Sequence, residues 1–175
     1  MIIIQAVHKL LNASRLKAPL YISEPSPGQE LHTWYAKLIR TCFPGKMLVL
    51  YMHKPSGLTV IVHGKTLQGT HCMFKERLLL LLRRNGFSEK FIDRELGLID
   101  DGYVVGKTSS KQMLGRMNQL TYIIEEYCVR SPTIEDLPLT RLEDLIADNI
   151  YLNTENKKYV DPLDYFRDLG VVSRH

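Results

Sequence analysis

Residues 47–62 read Met47-Leu48-Val49-Leu50-Tyr51-Met52-His53-Lys54-Pro55-Ser56-Gly57-Leu58-Thr59-Val60-Ile61-Val62. Two apolar, strand-forming runs, Met47 to Met52 and Leu58 to Val62, flank Lys54-Pro55-Ser56-Gly57, which is a turn by composition. If Lys54 pairs with Gly57, one face carries Met47, Val49, Tyr51, Val60 and Val62, and the other carries Leu48, Leu50, Met52 and Ile61. Both faces are apolar, so the hairpin is expected in the interior of a sheet covered on both sides. The same register sends His53 and His63 to opposite faces, which removes the most tempting two-histidine metal site.

Working outward, Ile2-Ile3-Ile4 reads as a buried strand that passes into one helical turn at His8 to Asn12. After a Pro/Ser-rich loop at Pro19 to Pro27, a helix is predicted. Ser26 and Gln29 form a capping box, Pro27 suits the first helical position, and Leu31, Trp34, Tyr35, Leu38 and Cys42 recur at helical spacing up to Phe43-Pro44-Gly45. Beyond the hairpin, Thr70 is expected to cap a leucine-rich helix through Asn85. Gly86 is placed to stop it, and Arg83-Arg84 complement the negative end of its dipole. Ser88 to Leu96 predicts a shorter helix ending near Gly97, and Tyr103-Val104-Val105 a brief strand. From Ser110 to about Val129, Met113, Met117, Leu120, Ile124 and Tyr127 follow the strongest amphipathic spacing in the chain. Thr140 with Glu143 reads as a capping box for another helix, and Asp161-Pro162 with Asp164 begins a last short one before Gly170. The expected fold is α+β: a single domain over residues 1–175, with a small mixed or antiparallel sheet built on a central hairpin and packed by several helices.

Composition bounds the function. With 175 residues, 45% of them apolar and 24% charged, the chain can bury one ordinary core, and disorder or low complexity is excluded. The longest unbroken apolar run, Leu78 to Leu82, is far below the roughly 18 residues of a spanning helix, and Met1 to Ile4 lacks a basic leader, so a cytoplasmic protein with no membrane partner is expected. Cys42, Cys72 and Cys128 are odd in number and widely spaced, and fit neither a disulfide framework nor zinc spacing. Charge is unevenly spread. Residues 1–90 hold thirteen Lys/Arg against four Asp/Glu, whereas residues 91–175 hold ten against fifteen. Such a basic half can meet nucleic acid or another acidic partner, or the two halves can pack with opposite charges in contact.

The motifs that carry chemistry are sparse. Gly102 to Thr108 approaches the phosphate-binding pattern G-x-x-x-x-G-K-[ST], but it is short by one residue, and Asp100-Asp101 would stand beside the anion. A turn followed by an edge strand is the favoured reading. His8, His32, His53, His63, His71 and His175 form no metal-ligand spacing, so neither metal nor cofactor is expected. His71-Cys72 stands at a helix start, where a thiol pKa could be lowered, but a buried structural cysteine is the favoured reading. Leu114-Gly115-Arg116-Met117-Asn118 is the least ordinary segment, because a helical glycine is unfavourable by about 1 kcal/mol relative to Ala. Asn118 is expected at the rim of the core as a partly buried amide, and Arg116, some 200° around the helix at 3.6 residues per turn, toward solvent or a partner.

The initial strand with His8-Lys9-Leu10-Leu11, the Trp34-Tyr35-Ala36-Lys37-Leu38 segment read as helix, and Lys107-Thr108 leading into Met113 to Asn118 together resemble a bacterial family known only as a domain of unknown function. The resemblance spans roughly residues 1–130. It departs from the family's L-G-S-M-N pattern at Arg116, where members carry serine, and it implies a domain without implying any catalytic residue. The function read from the sequence is a non-catalytic binding or regulatory module, with a protein or nucleic acid as its possible partner. One alternative is an RNA- or DNA-binding protein or small nuclease using Lys37, Arg40, Lys46, Lys54, Lys65, Arg83 and Arg84. Another is a small-molecule enzyme with a cleft near Asn118 formed by Trp34, Tyr35, Lys107, Arg116 and Asn118.

Overall fold

A computed structural model describes residues 1–19, 22, 31–108, 110–148, 151–153 and 158–172. Five strands form one mixed sheet: β1 (Ile2–Ala6), β2 (Thr33–Arg40), β3 (Met47–His53), β4 (Thr59–His63) and β5 (Tyr103–Lys107), in the order β4-β3-β2-β1-β5. β1 runs parallel to both its neighbours, β2 and β5, while β2–β3 and β3–β4 are antiparallel. The helices are α1 (His8–Ala13), α2 (Leu67–Arg84), α3 (Glu89–Asp100), α4 (Lys111–Arg130), α5 (Leu139–Ala147) and α6 (Asp164–Asp168), and a two-stranded ribbon, β6 (Tyr151–Asn153) with β7 (Lys158–Val160), lies between α5 and α6.

The hairpin has the predicted register. Val49 faces Val62, Leu50 faces Ile61 and Tyr51 faces Val60, with Gly57 at φ +76 closing the turn where a side chain would be strained. Val49, Tyr51, Val60 and Val62 join the core under α1, α2, α3 and α6, and Leu48, Leu50, Met52 and Ile61 join the core under α4 and α5. His53 and His63 follow the register to opposite faces. His53 is fully buried against Trp34 and Phe166, its Nδ1 2.8 Å from Ser56 Oγ, which in turn accepts the Leu58 N–H and so fixes the turn. The hairpin stands at one end of the sheet rather than in its middle, because β1 pairs with β5 on its far side and leaves β4 as the outer strand.

Several expectations need correction. The helix predicted through Trp34 to Cys42 is β2. Trp34 and Ala36 enter one core and Tyr35 and Ile39 the other, so the strand is apolar on both faces and shows no two-residue alternation to separate it from a helix. Ser26, Pro27 and Gln29 lie outside the described residues. The Thr140/Glu143 capping box does not form: α5 begins at Leu139 after Pro138 with no side-chain cap, and Glu143 turns inward. Thr70 is not the cap of α2 either. Thr66 is, accepting the Gly69 N–H, while the Thr70 hydroxyl bonds the Thr66 carbonyl and lies 2.6 Å from Tyr51 Oη inside the core. Ser88 caps α3 and Ser110 caps α4 where those helices were expected to begin, although α3 continues through Gly97 to Asp100. The last helix, α6, begins at Asp164 after Leu163 rather than at Pro162, and Cys72, expected to be buried, is exposed on α2.

Glu143 is wholly buried. Its Oε1 accepts the outward N–H of Ile61 on the outer strand β4 at 2.9 Å, and its two oxygens take the Arg77 Nε and Nη2 hydrogens at 2.9 and 2.7 Å. Burial pushes its carboxyl up, opposed by Arg77 and the Ile61 N–H. Glu143→Ala leaves a buried N–H and a half-covered guanidinium without an acceptor and is expected to lower stability by about 3 kcal/mol. The double variant Glu143→Met/Arg77→Met should recover part of that loss, and chemical denaturation of the two proteins measures it.

Candidate functional site

Two concavities stand out on the surface of the described residues. The larger, about 570 Å³, is lined by His63, Arg77, Glu135, Leu137 to Arg141 and Asp144. Most of its charges are paired within the protein: Arg77 is bound to Glu143, Arg84 at its margin to Asp144 at 3.0 Å, and Lys46 to Glu135 at 3.6 Å, while Arg141 is exposed and, among the described residues, holds no carboxylate. Burial pushes the His63 imidazole below its ordinary value. With Glu135 and Asp144 on its walls against Arg141, this cleft offers an incoming anion little net positive charge.

The second cleft, about 380 Å³, lies where β2 outruns β1. Val7, Lys9 and Asn12 form one wall, Leu38, Ile39, Arg40 and Met47 the floor, and Lys37, Thr121 and Glu125 the other wall. Lys37 decides its character. It projects from β2 on the same side as Tyr35 and Ile39, toward α4, where its ammonium donates to Asn118 Oδ1 and Thr121 Oγ1, both at 2.8 Å. Thr121 passes its own hydroxyl hydrogen to the Met117 carbonyl. Burial pushes the Lys37 ammonium below its ordinary range, Glu125 opposes that shift, and Lys9 adds to it. Lys9 and Arg40 are exposed and, among the described residues, hold no ion-pair partner. Three cations therefore converge on one carboxylate.

The residues nominated from sequence are dispersed by this arrangement. Trp34 and Tyr35 are buried in opposite cores, Trp34 with its indole N–H on the Leu31 carbonyl at 2.7 Å, so they cannot line one cleft. Lys107 is exposed at the end of β5. Arg116 is half-buried and Asn118 exposed, the reverse of the expected placement. The helix turns its polar stripe toward Lys37, whose charge Asn118 meets at the surface. Of the seven basic residues, Lys37 and Arg40 reach the cleft. Arg83 is bidentate to Glu89, Arg84 and Lys46 are paired as above, and Lys54 sits at the hairpin turn, at the opposite end of β3 from Lys46 and with Lys65 beyond the end of β4. The basic and acidic halves thus meet in ion pairs.

A family model described as a domain of unknown function, DUF6933, matches residues 3–165. The chain belongs to this family. No curated protein is similar enough to lend this DUF6933 chain an activity. Among its described residues no three His, Cys, Asp or Glu side chains gather to hold a metal ion, and no helix is long and apolar enough to cross a membrane. The Gly102 to Thr108 segment is the turn and edge strand favoured from sequence. Gly106 lies within β5, where an added Cβ would stand 2.7 Å from Ile22 Cδ1, so close packing rather than phosphate accounts for the glycine.

Lys9, Asn12, Thr121 and Glu125 are the cleft residues that sequence reasoning missed. The signal for the last two was a stripe, Asn118, Thr121 and Glu125 at three- and four-residue spacing, on the border of the apolar face of α4, whereas Lys9 and Asn12 on α1 carried none. Because Asn118 is exposed, its loss leaves no buried group unpaired. Asn118→Ala is expected to shift stability by less than about 1 kcal/mol, read as a midpoint in urea.

Proposed function

We propose that this DUF6933 chain is a non-catalytic binding module, one domain over residues 1–175 in a cytoplasmic setting, and that it takes an anionic ligand in the cleft between α1, β2 and α4. The observation that carries this reading is Lys37, a half-buried ammonium held in place by Asn118 and Thr121 with Lys9 and Arg40 beside it and Glu125 as the lone opposing charge. Desolvation and Lys9 both oppose the charge at Lys37, and a bound anion offsets both at once. The apolar floor of Leu38, Ile39 and Met47 suits a ligand with an organic body. The one hydroxyl beside Lys37, that of Thr121, accepts from the ammonium and gives its own hydrogen to the Met117 carbonyl, so it is not set up as an activated nucleophile, which supports binding over catalysis. The nucleic-acid reading loses support from the commitment of Arg83 and Arg84 to carboxylates.

Lys37→Met separates binding from stability. It removes a charge whose burial is unfavourable, so the melting temperature is expected to stay level or rise slightly, while affinity for inorganic phosphate or small carboxylates, measured calorimetrically, falls at least about tenfold. Wild-type affinity should weaken as pH rises through the Lys37 value, which lies below the ordinary 10.5, because only the ammonium attracts the anion. Equal affinity of variant and wild type for these anions would overturn the assignment.

A further inference from the structure

The cleft has a property that a simple anion site does not need: its floor is the open edge of a strand. In β2 the even-numbered residues turn their backbone groups toward β1, as the Ile3 N–H on the His32 carbonyl and the Val7 N–H on the Ala36 carbonyl show, and the odd-numbered ones turn toward β3. The β1 ladder stops at the Ala6–Ala36 pair, whereas β2 runs on to Arg40, supported only by β3. A continued ladder would bring the Leu38 N–H to the Val7 carbonyl. That carbonyl is instead taken by the Leu10 and Leu11 N–H groups at 2.8 and 3.1 Å, where the chain turns into α1. Among the described residues, the N–H groups of Leu38 and Arg40 therefore face the cleft with no partner. Residues 37–40 leave a slot in the plane of the sheet about 13 Å long at roughly 3.3 Å per residue.

The slot has direction. Val7 closes it at one end, so an added strand cannot run through and must terminate there. Lys37 and Lys9 stand at this closed end. Along α4 the contact points advance from Asn118 and Thr121 at Lys37 to Cys128 at Cys42, which places Glu125 outward, toward Arg40 and the open end. A strand parallel to β2 would begin at Val7 and set its amino-terminal cation against Lys37. A strand antiparallel to β2 would end at Val7 and set its carboxylate there. Resting on the anion-cleft reading, we propose that the occupant is the C-terminal end of an extended peptide, added antiparallel to β2, with its carboxylate on Lys37 and Lys9 and its backbone on Leu38 and Arg40.

The test uses the full chain and fluorescein-labelled tetrapeptide pools, identical except for a free or an amidated C-terminus, read by anisotropy, together with backbone hydrogen exchange. The expected result is affinity at least about tenfold higher for the free acids, lost in Lys37→Met, with the Leu38 and Arg40 amides slowed on binding. Equal binding of acid and amide pools, or binding that leaves the two amides unprotected, overturns the peptide assignment. If inorganic phosphate binds and neither peptide pool does, the peptide inference falls and the anion cleft stands. If neither phosphate nor peptide binds, both fall.

Discussion

One buried carboxylate holds the layers of this fold together at the place where a sheet is weakest. An outer strand presents a row of unpaired N–H and C=O groups, and β4, apolar on both faces, would make a poor edge if left open. Glu143 reaches it from α5, on one side of the sheet, and at the same time binds Arg77 and Arg84 of α2, on the other side. The two helical layers are thus joined around the rim of the sheet by a group with no exposure to water. Removing a charge from water is unfavourable by several kcal/mol, and the bidentate arginine with the strand N–H offsets it. The interaction also fixes where α5 lies, and with it the floor of the larger cleft.

What the sequence revealed and what it hid follow from the range of the interactions involved. The hairpin was legible to the residue, because a proline-glycine turn and two apolar runs fix register locally. Helix starts at Ser88 and Ser110 were legible for the same reason, each hydroxyl capping its own first turn. β2 was not. Its residues are aromatic or apolar in succession because both sides of a central strand are covered, and only the presence of β1 and β3 beside it decides its conformation. Glu143 was misread for a related reason. Three residues after Thr140 it has the spacing of a cap, yet its partners stand far away in sequence on β4 and α2.

The cleft was half legible. Lys37 and Asn118 had each been marked, but in different sets, one as part of a basic surface and the other as a ligand residue near a helical glycine. They belong together because β2 is a strand whose odd-numbered side chains face α4, a relation that a helix through Trp34 to Cys42 does not produce. The charge asymmetry of the two halves resolves in part into internal pairing, as at Arg84 with Asp144 and Lys46 with Glu135. Lys9, Lys37 and Arg40 stay outside such pairs and stand around one opening.

The position of β1 sets an order of assembly. It is the first strand in the chain, yet it pairs with residues 33–36 on one side and 103–107 on the other. During synthesis the β2–β3–β4 meander can form from neighbours in sequence, but β1 keeps one edge open until β5 has left the ribosome. Its second pairing closes a loop of about a hundred residues, and bringing such distant segments together is slow compared with closing a hairpin. Through that interval the Ile2-Ile3-Ile4 edge, apolar and β-branched, stands exposed to any other unpaired strand. The nascent chain is therefore most open to mispairing at a segment that ends buried and paired along both edges.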